Sequence, residues 1–250
     1  MKDSEKAKSI FIKKSAKGIL MLHGFTASPN DFRHYADRLS SQRYTVSVPL
    51  LKGHGTDVED LHRVNWYDWF SDVKRAYFQL NEHCQKIVVL GQSIGGTLAL
   101  HLASHYKTDG LVLLAPGLFF KNKATRAISI ISKVKKYIDK TDGPDIMNPV
   151  SRRNAVGYTK IPTQSINEVA RLFKHVKEDL AEVSSPVLIF HSIKDHVIEY
   201  KSSEYIYKNI SSKKKRLQTL YNSYHVLSLD NEKNIILKEI ESFVKVLFSQ

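Results

Sequence analysis

The stretch Lys86-Ile87-Val88-Val89-Leu90-Gly91-Gln92-Ser93-Ile94-Gly95-Gly96 decides the fold. Its first five residues form a short, largely apolar run, the pattern of a strand buried on both faces. The next five match G-x-S-x-G, and residues 95–105 carry a helical pattern. A serine presented at a strand-to-helix turn needs that context. The turn is so sharp that side chains two positions either side of the serine would collide, which calls for glycine at both places. The strain lifts the Ser93 hydroxyl clear of the sheet. The plainer reading is a serine N-cap on a glycine-rich turn. A dinucleotide site does not fit, because G-x-G-x-x-G needs a glycine where Ser93 stands.

Working outward, further strands are read at Gly18-Ile19-Leu20-Met21-Leu22, Tyr44-Thr45-Val46-Ser47-Val48, Leu111-Val112-Leu113-Leu114 and Pro186-Val187-Leu188-Ile189-Phe190, with a weaker one over 216–221. Helices are expected over 31–39, with Asn30 as N-cap, and over 66–82, where Trp66, Trp69, Val73, Tyr77 and Leu80 recur at helical spacing. Ile236, Ile240, Phe243 and Leu247 mark a last helix. Continuous apolar strands alternating with helices imply an α/β fold with a mostly parallel central sheet flanked by helices. The rhythm breaks over 117–184, which shows helical patterns but no convincing strand and is too long for a structureless loop. The expected organisation is a core from 1–116 and 185–250, with a small helical cap inserted at 117–184 over the carboxyl ends of the strands, where ligands bind in open α/β sheets.

Composition fits this reading. The chain has 250 residues, 42% hydrophobic and 25% charged, an ordinary globular balance that excludes disordered and collagen-like chains. The single cysteine, Cys84, permits no intrachain disulfide. Residues 1–17 lack the apolar centre of a secretory signal, and no run approaches a membrane span, so a cytoplasmic protein is expected. Lys+Arg 38 against Asp+Glu 25 gives +13. That excess alone does not argue for nucleic acid, and no aromatic RNA-binding motif accompanies it.

The remaining chemistry follows the strand ends. His23-Gly24-Phe25 directly follows an early strand, and a tetrahedral oxyanion needs two preorganised backbone N–H donors. Ile94, after the serine, and Phe25 are the expected pair. The base and its orienting acid should follow in the order serine, acid, histidine. Asp195 lies just past the strand ending at Phe190. His225 lies in Asn222-Ser223-Tyr224-His225, between the last strand and the last helix. His225 would take the serine proton, since a free serine is a poor nucleophile at neutral pH, and Asp195 would hold its tautomer. Asp230 competes as the acid but reads better as the N-cap of the last helix. His23 reads as a buried histidine bonded to backbone, His191 as part of its strand, and His196 would need a partner other than Asp195. His101 and His105 are four apart on one helix, a metal-like spacing without the glutamate of H-E-x-x-H. No metal and no cofactor is implied.

These residues resemble the α/β-hydrolases, close to the bacterial carboxylesterase and monoacylglycerol lipase group. The matching features are His23-Gly24-Phe25-Thr26, Lys52-Gly53-His54-Gly55-Thr56, Trp66-Tyr67-Asp68-Trp69, Gly91-Gln92-Ser93-Ile94-Gly95-Gly96, Asp195-His196-Val197-Ile198 and Ser223-Tyr224-His225. The resemblance implies a small cap over a serine-hydrolase core that cleaves esters with a single acyl chain. It places the triad on Ser93, Asp195 and His225 and the oxyanion donors on Phe25 and Ile94. Short to medium acyl esters are the leading substrates, with monoacylglycerols or lysophospholipids next. An acyltransferase or thioesterase on the same fold, and a non-catalytic ligand-binding relative, are the alternatives. Phe119, Phe120 and Val197 are candidates for the substrate pocket, with core packing the alternative for the two phenylalanines.

Residues 121–160 hold ten Lys/Arg against three acids, a net +7 out of +13. Ile128, Ile131, Val134 and Ile138 form an apolar stripe at helical spacing there, flanked by basic residues. Such a helix either lies on an anionic lipid surface or packs its stripe on the core with solvated lysines outside.

Overall fold

The computed structural model describes residues 7–122, 125, 127–140, 143–155 and 157–249. Residues 1–6, and Lys123, Arg126 and Asp142 of the basic stretch, lie outside them. Among the described residues the strands are β1 (Ile10–Ile12), β2 (Lys17–Leu22), β3 (Thr45–Val48), β4 (Lys86–Gln92), β5 (Gly110–Leu114), β6 (Tyr137–Asp139), β7 (Lys160–Pro162), β8 (Val187–Ser192) and β9 (Lys215–Leu220). The helices are α1 (Arg33–Ser41), α2 (Val58–Arg63), α3 (Trp66–Asn81), α4 (Ile94–His105), α5 (Ile128–Val134), α6 (Pro149–Asn154), α7 (Thr163–Asp179), α8 (Lys201–Asn209) and α9 (Lys233–Ser249).

Seven strands make one sheet in the order β1-β3-β2-β4-β5-β8-β9. All neighbours run parallel except the edge pair β1 and β3. Successive side chains of a strand face opposite sides, and the core divides accordingly. Leu20, Val89, Leu113 and Ile189 face one layer, covered by α3, α4, α7 and α8. Met21, Leu90, Val112 and Phe190 face the other, covered by α1 and α9. The strands are apolar throughout because both faces are buried. The α3 helix starts on a capping box. Asn65 Oδ1 accepts from the Tyr67 and Asp68 N–H groups, and Asp68 returns the bond to the Asn65 N–H. Its face then buries Trp66, Trp69, Val73, Tyr77 and Leu80, the spaced residues of the sequence.

Between β5 and β8 the chain adds no strand to the main sheet. It does form a small antiparallel pair, β6 with β7, where the sequence showed no strand. That pairing breaks the expected stripe. The α5 helix stops at Val134 because Lys135 turns extended, and Ile138 is taken into β6 opposite Ile161. Ile128 is buried while Val134 is 85% exposed, so the four residues share no face. The later part of this segment is continuous with the core. Val169, Leu172, Phe173 and Val176 of α7 join the same apolar layer as Leu98 of α4. Among the described residues, no helix is long and apolar enough to cross a membrane.

Trp69 is fully buried, and its Nε1–H donates to the Lys52 carbonyl at 3.2 Å. Trp69→Ala leaves a cavity and removes one hydrogen bond to the Lys52 carbonyl, and urea denaturation should show a loss of about 3–5 kcal/mol.

Candidate active site

Ser93 sits between β4 and α4 with φ 56° and ψ −118°, in the left-handed half of the map. A serine tolerates this only where the surroundings force it. The packing of the two flanking glycines shows the force. A Cβ on Gly95 would lie 2.0 Å from the Leu22 carbonyl oxygen, and one on Gly91 would lie 2.2 Å from the Gly95 oxygen. The turn is therefore pressed against β2 at a distance only glycine allows. The Ser93 N–H donates to the Leu114 carbonyl at 2.9 Å, tying the elbow to the neighbouring strand.

The structure brings Ser93, His225 and Asp195 together from three separate strand ends. His225 Nε2 is 2.9 Å from Ser93 Oγ, and His225 Nδ1 is 2.7 Å from Asp195 Oδ2. Both partners of the imidazole are buried with it. The other carboxylate oxygen of Asp195 accepts from the Val197 and Ile198 N–H groups, each at 2.8 Å, which fixes its plane. Burial acts to raise the Asp195 carboxyl. The charge of His225, joined by His191, outweighs it and holds the group well below the carboxylate range. Burial likewise opposes the charged form of His225, but the adjacent Asp195 carboxylate wins, and the imidazole is more basic than usual. A hydroxyl bonded to such an imidazole can lose its proton as it attacks a carbonyl carbon.

Ile94 opens α4, so its N–H is one of the unpaired donors of a helix start. The loop with Phe25 lies directly against the nucleophile, since a Cβ on Gly24 would sit 3.6 Å from Ser93 Cβ. His23 takes no part in proton transfer. Its Nδ1–H donates to the Gly24 carbonyl at 2.9 Å, and its Nε2 accepts from the Leu51 N–H at 3.1 Å. Burial pushes its basicity down to about 4, against the opposing Gly24 bond. It is a neutral brace for this loop.

Four residues supply contacts that the sequence reading did not foresee. His191, inside β8, approaches Asp195 Oδ2 at 3.2 Å while its Nδ1 pairs with Ser203 Oγ at 2.7 Å. Gln92 Oε1 accepts from the Ser228 N–H at 3.0 Å, joining the elbow to the histidine loop. Asp145, from the segment between β5 and β8, uses its carbonyl to accept from the His225 and Val226 N–H groups. Its carboxylate accepts from the His225 N–H at 3.2 Å and pairs with His196 Nδ1 at 2.9 Å, the partner that His196 required. Asp230 is not the acid, and its carboxylate does not cap α9. It gathers the N–H groups of Met147, Asn148, Tyr224 and Asn231 instead. Signals for all four lie in tertiary placement and not in local pattern.

A cavity of about 810 Å³ adjoins the loops that carry Phe25 and His225, and Ser93, Asp195 and His225 lie outside its lining. Phe25, Thr26 and Val226 of the core line it together with Lys140, Ile146, Arg153 and Tyr158 of the 117–184 segment. Phe119, Phe120 and Val197 lie outside its lining. Phe119 is held between the ammonium groups of Lys177 and Lys201, 4.0 and 4.7 Å from its ring centre. Phe120 packs on Phe173, and the Val197 carbonyl accepts from the Lys121 N–H.

A family model described as serine aminopeptidase, S33, matches residues 13–233. The chain is 36% identical over 241 residues to a thermostable monoacylglycerol lipase of Bacillus sp. strain H-257, covering 96% of this chain and 95% of that one. It is 26% identical over 234 residues to a carboxylesterase of Bacillus subtilis strain 168, with 92% and 93% covered. A solved structure from work on two metagenome-derived lipolytic enzymes superposes with a TM-score of 0.92 at 30% identity, over 96% of this chain and 98% of that one.

Asp31 lines the cavity, and burial pushes its carboxyl up to about 7 while Lys140 pulls it down. The folded state then holds that proton more tightly than the unfolded chain. The contribution of this group is complete below about pH 4 and is lost as the pH climbs towards 7. Asp31→Asn keeps the shape and removes the titration. Its stability relative to the native chain, measured by urea unfolding, should therefore be more favourable at pH 8 than at pH 5.

Proposed function

As the chain belongs to the serine aminopeptidase S33 family and is a serine hydrolase, we propose that it hydrolyses carboxylic esters bearing a single acyl chain, with monoacylglycerols the foremost class. The observation that carries this is the unbroken hydrogen-bonded line from Ser93 Oγ through His225 to Asp195 on a strained elbow. Ser93 attacks the ester carbonyl while His225 Nε2 accepts its proton. The negative charge that develops on the carbonyl oxygen is met by the N–H groups of Phe25 and Ile94. His225 then protonates the leaving alcohol, and an acyl-enzyme remains on Ser93. Water, deprotonated by the same imidazole, attacks that ester and releases the fatty acid. Asp195 keeps Nδ1 as the donor and stabilises the imidazolium at each step.

Residues 117–184 act in this reading as the cap that shapes substrate choice. The cavity wall they build is mixed. Lys140 and Arg153 of the cap, with Thr26 and Asp31 from the core side, offer hydrogen bonds beside Phe25, Ile146 and Val226. A site that hydrogen-bonds substrate hydroxyls discriminates strongly against esters lacking them. This supports a hydroxylated alcohol such as glycerol over the simple short esters that lead on sequence alone, and so does the higher identity to the lipase than to the carboxylesterase. The basic cap also supports contact with an anionic lipid surface. Ile130 and Val134 are 68% and 85% exposed, and Lys133 and Lys135 lie beside them in the chain.

Ser93→Ala should lower hydrolysis of monoacylglycerols and p-nitrophenyl esters alike by at least about a thousandfold, and retention of most activity would remove the assignment. The His225 imidazole must be neutral to act as a base. The native rate should therefore rise with pH through an inflection above the ordinary 6.5. Asp195→Asn should move that inflection to lower pH as well as slowing the reaction. Anionic vesicles should bind the chain more tightly than neutral ones, with added salt erasing the difference; binding that ignores both charge and salt would refute the surface contact.

A further inference from the structure

Away from Ser93, the described residues gather a second set of chemically competent side chains. His101 and His105, four apart on α4, share one face of that helix. Asp179, the last residue of α7, faces them across the helix pair. One donor atom from each of the three lies within 4.8 Å of the others. His101 Nδ1 and Asp179 Oδ2 already meet at 2.7 Å, and the two imidazole centres are 4.6 Å apart. His101 is only 7% exposed and is wedged against Trp66 and Phe70.

We propose that His101, His105 and Asp179 form a binding site for one divalent transition-metal ion of the zinc class, with water as the fourth ligand. Two imidazoles and a carboxylate suit zinc, copper or nickel far better than calcium or magnesium. A tetrahedral ion with ligands at about 2.0–2.2 Å needs donor atoms about 3.3 Å apart. One donor pair, His101 Nδ1 and Asp179 Oδ2, is closer than that at 2.7 Å, and all three donors lie within 4.8 Å of one another. His105 is exposed and Asp179 partly so, which leaves an entry path from solvent. The ion would sit about 12–18 Å along α4 from Ser93 at the standard helical rise, too far to touch the reacting atoms. It joins the helix that begins at the nucleophile to the last helix of the 117–184 segment. Its effect falls on the stability of that junction and stands apart from the ester chemistry.

The full chain, freed of metal with a chelator, is titrated with Zn²⁺ by calorimetry and melted with and without one equivalent of the ion. One equivalent should bind and raise the Tm. His105→Ala and Asp179→Asn should each weaken binding by at least about tenfold and remove the rise in Tm. Both side chains reach solvent, so both variants should fold and should hydrolyse esters normally without metal. Absence of binding by the native chain, or one-equivalent binding that survives in His105→Ala, overturns the site.

Discussion

The site depends on a steric contact, the approach of Gly95 to the carbonyl oxygens of Leu22 and His23. At that spacing no side chain fits, and the elbow carrying Ser93 is clamped between β2 and its own helix. The contact fixes three things at once. It holds Ser93 in a backbone conformation that serine otherwise avoids. It starts α4 at Ile94, directly after the residue that bears the hydroxyl. It also brings the His23-Gly24-Phe25 loop, which continues directly from β2, against Ser93. Strain, helix start and loop position are thus one packing fact, set by the parallel pairing of β2 with β4.

Around this fixed point, polar contacts locate the remaining partners. Gln92 holds the histidine loop through Ser228, Asp145 holds it through His225 and Val226, and Asp230 ties it to residues 147 and 148. The electrostatics are graded by partner. Of the buried histidines near the site, His225 faces the Asp195 carboxylate along a 2.7 Å hydrogen bond and is more basic than usual. His23 and His54 meet backbone carbonyls instead, and burial drives their basicity down to about 4 and about 3. The same side chain is more basic than usual in one place and a neutral brace in another.

The strands and the triad are readable from sequence because their signals are local. Ser93 is flagged by its own glycines, and Asp195 and His225 by lying just beyond strand patterns. The two-sided burial of β2, β4, β5 and β8 writes itself as unbroken apolar runs. Signals fail where long-range pairing decides. The edge strand β1 has three residues in a charged neighbourhood and exists because β3 offers it an antiparallel edge. Residues 128–138 have helical spacing, yet pairing with β7 takes the last of them. Asp145 and His191 carry no motif, Gln92 is only the variable position of one, and their partners lie 80, 12 and 136 positions away in the chain.

Asp145 has a further consequence for how the molecule divides. The segment that walls the cavity also contributes the carbonyl and carboxylate that seat the backbone of His225 and position His196. Pocket and machinery are therefore not separable modules. A chimera that replaced residues 117–184 to change substrate would exchange part of the histidine's own mounting, and only a graft that keeps a carboxylate at position 145 leaves that mounting whole.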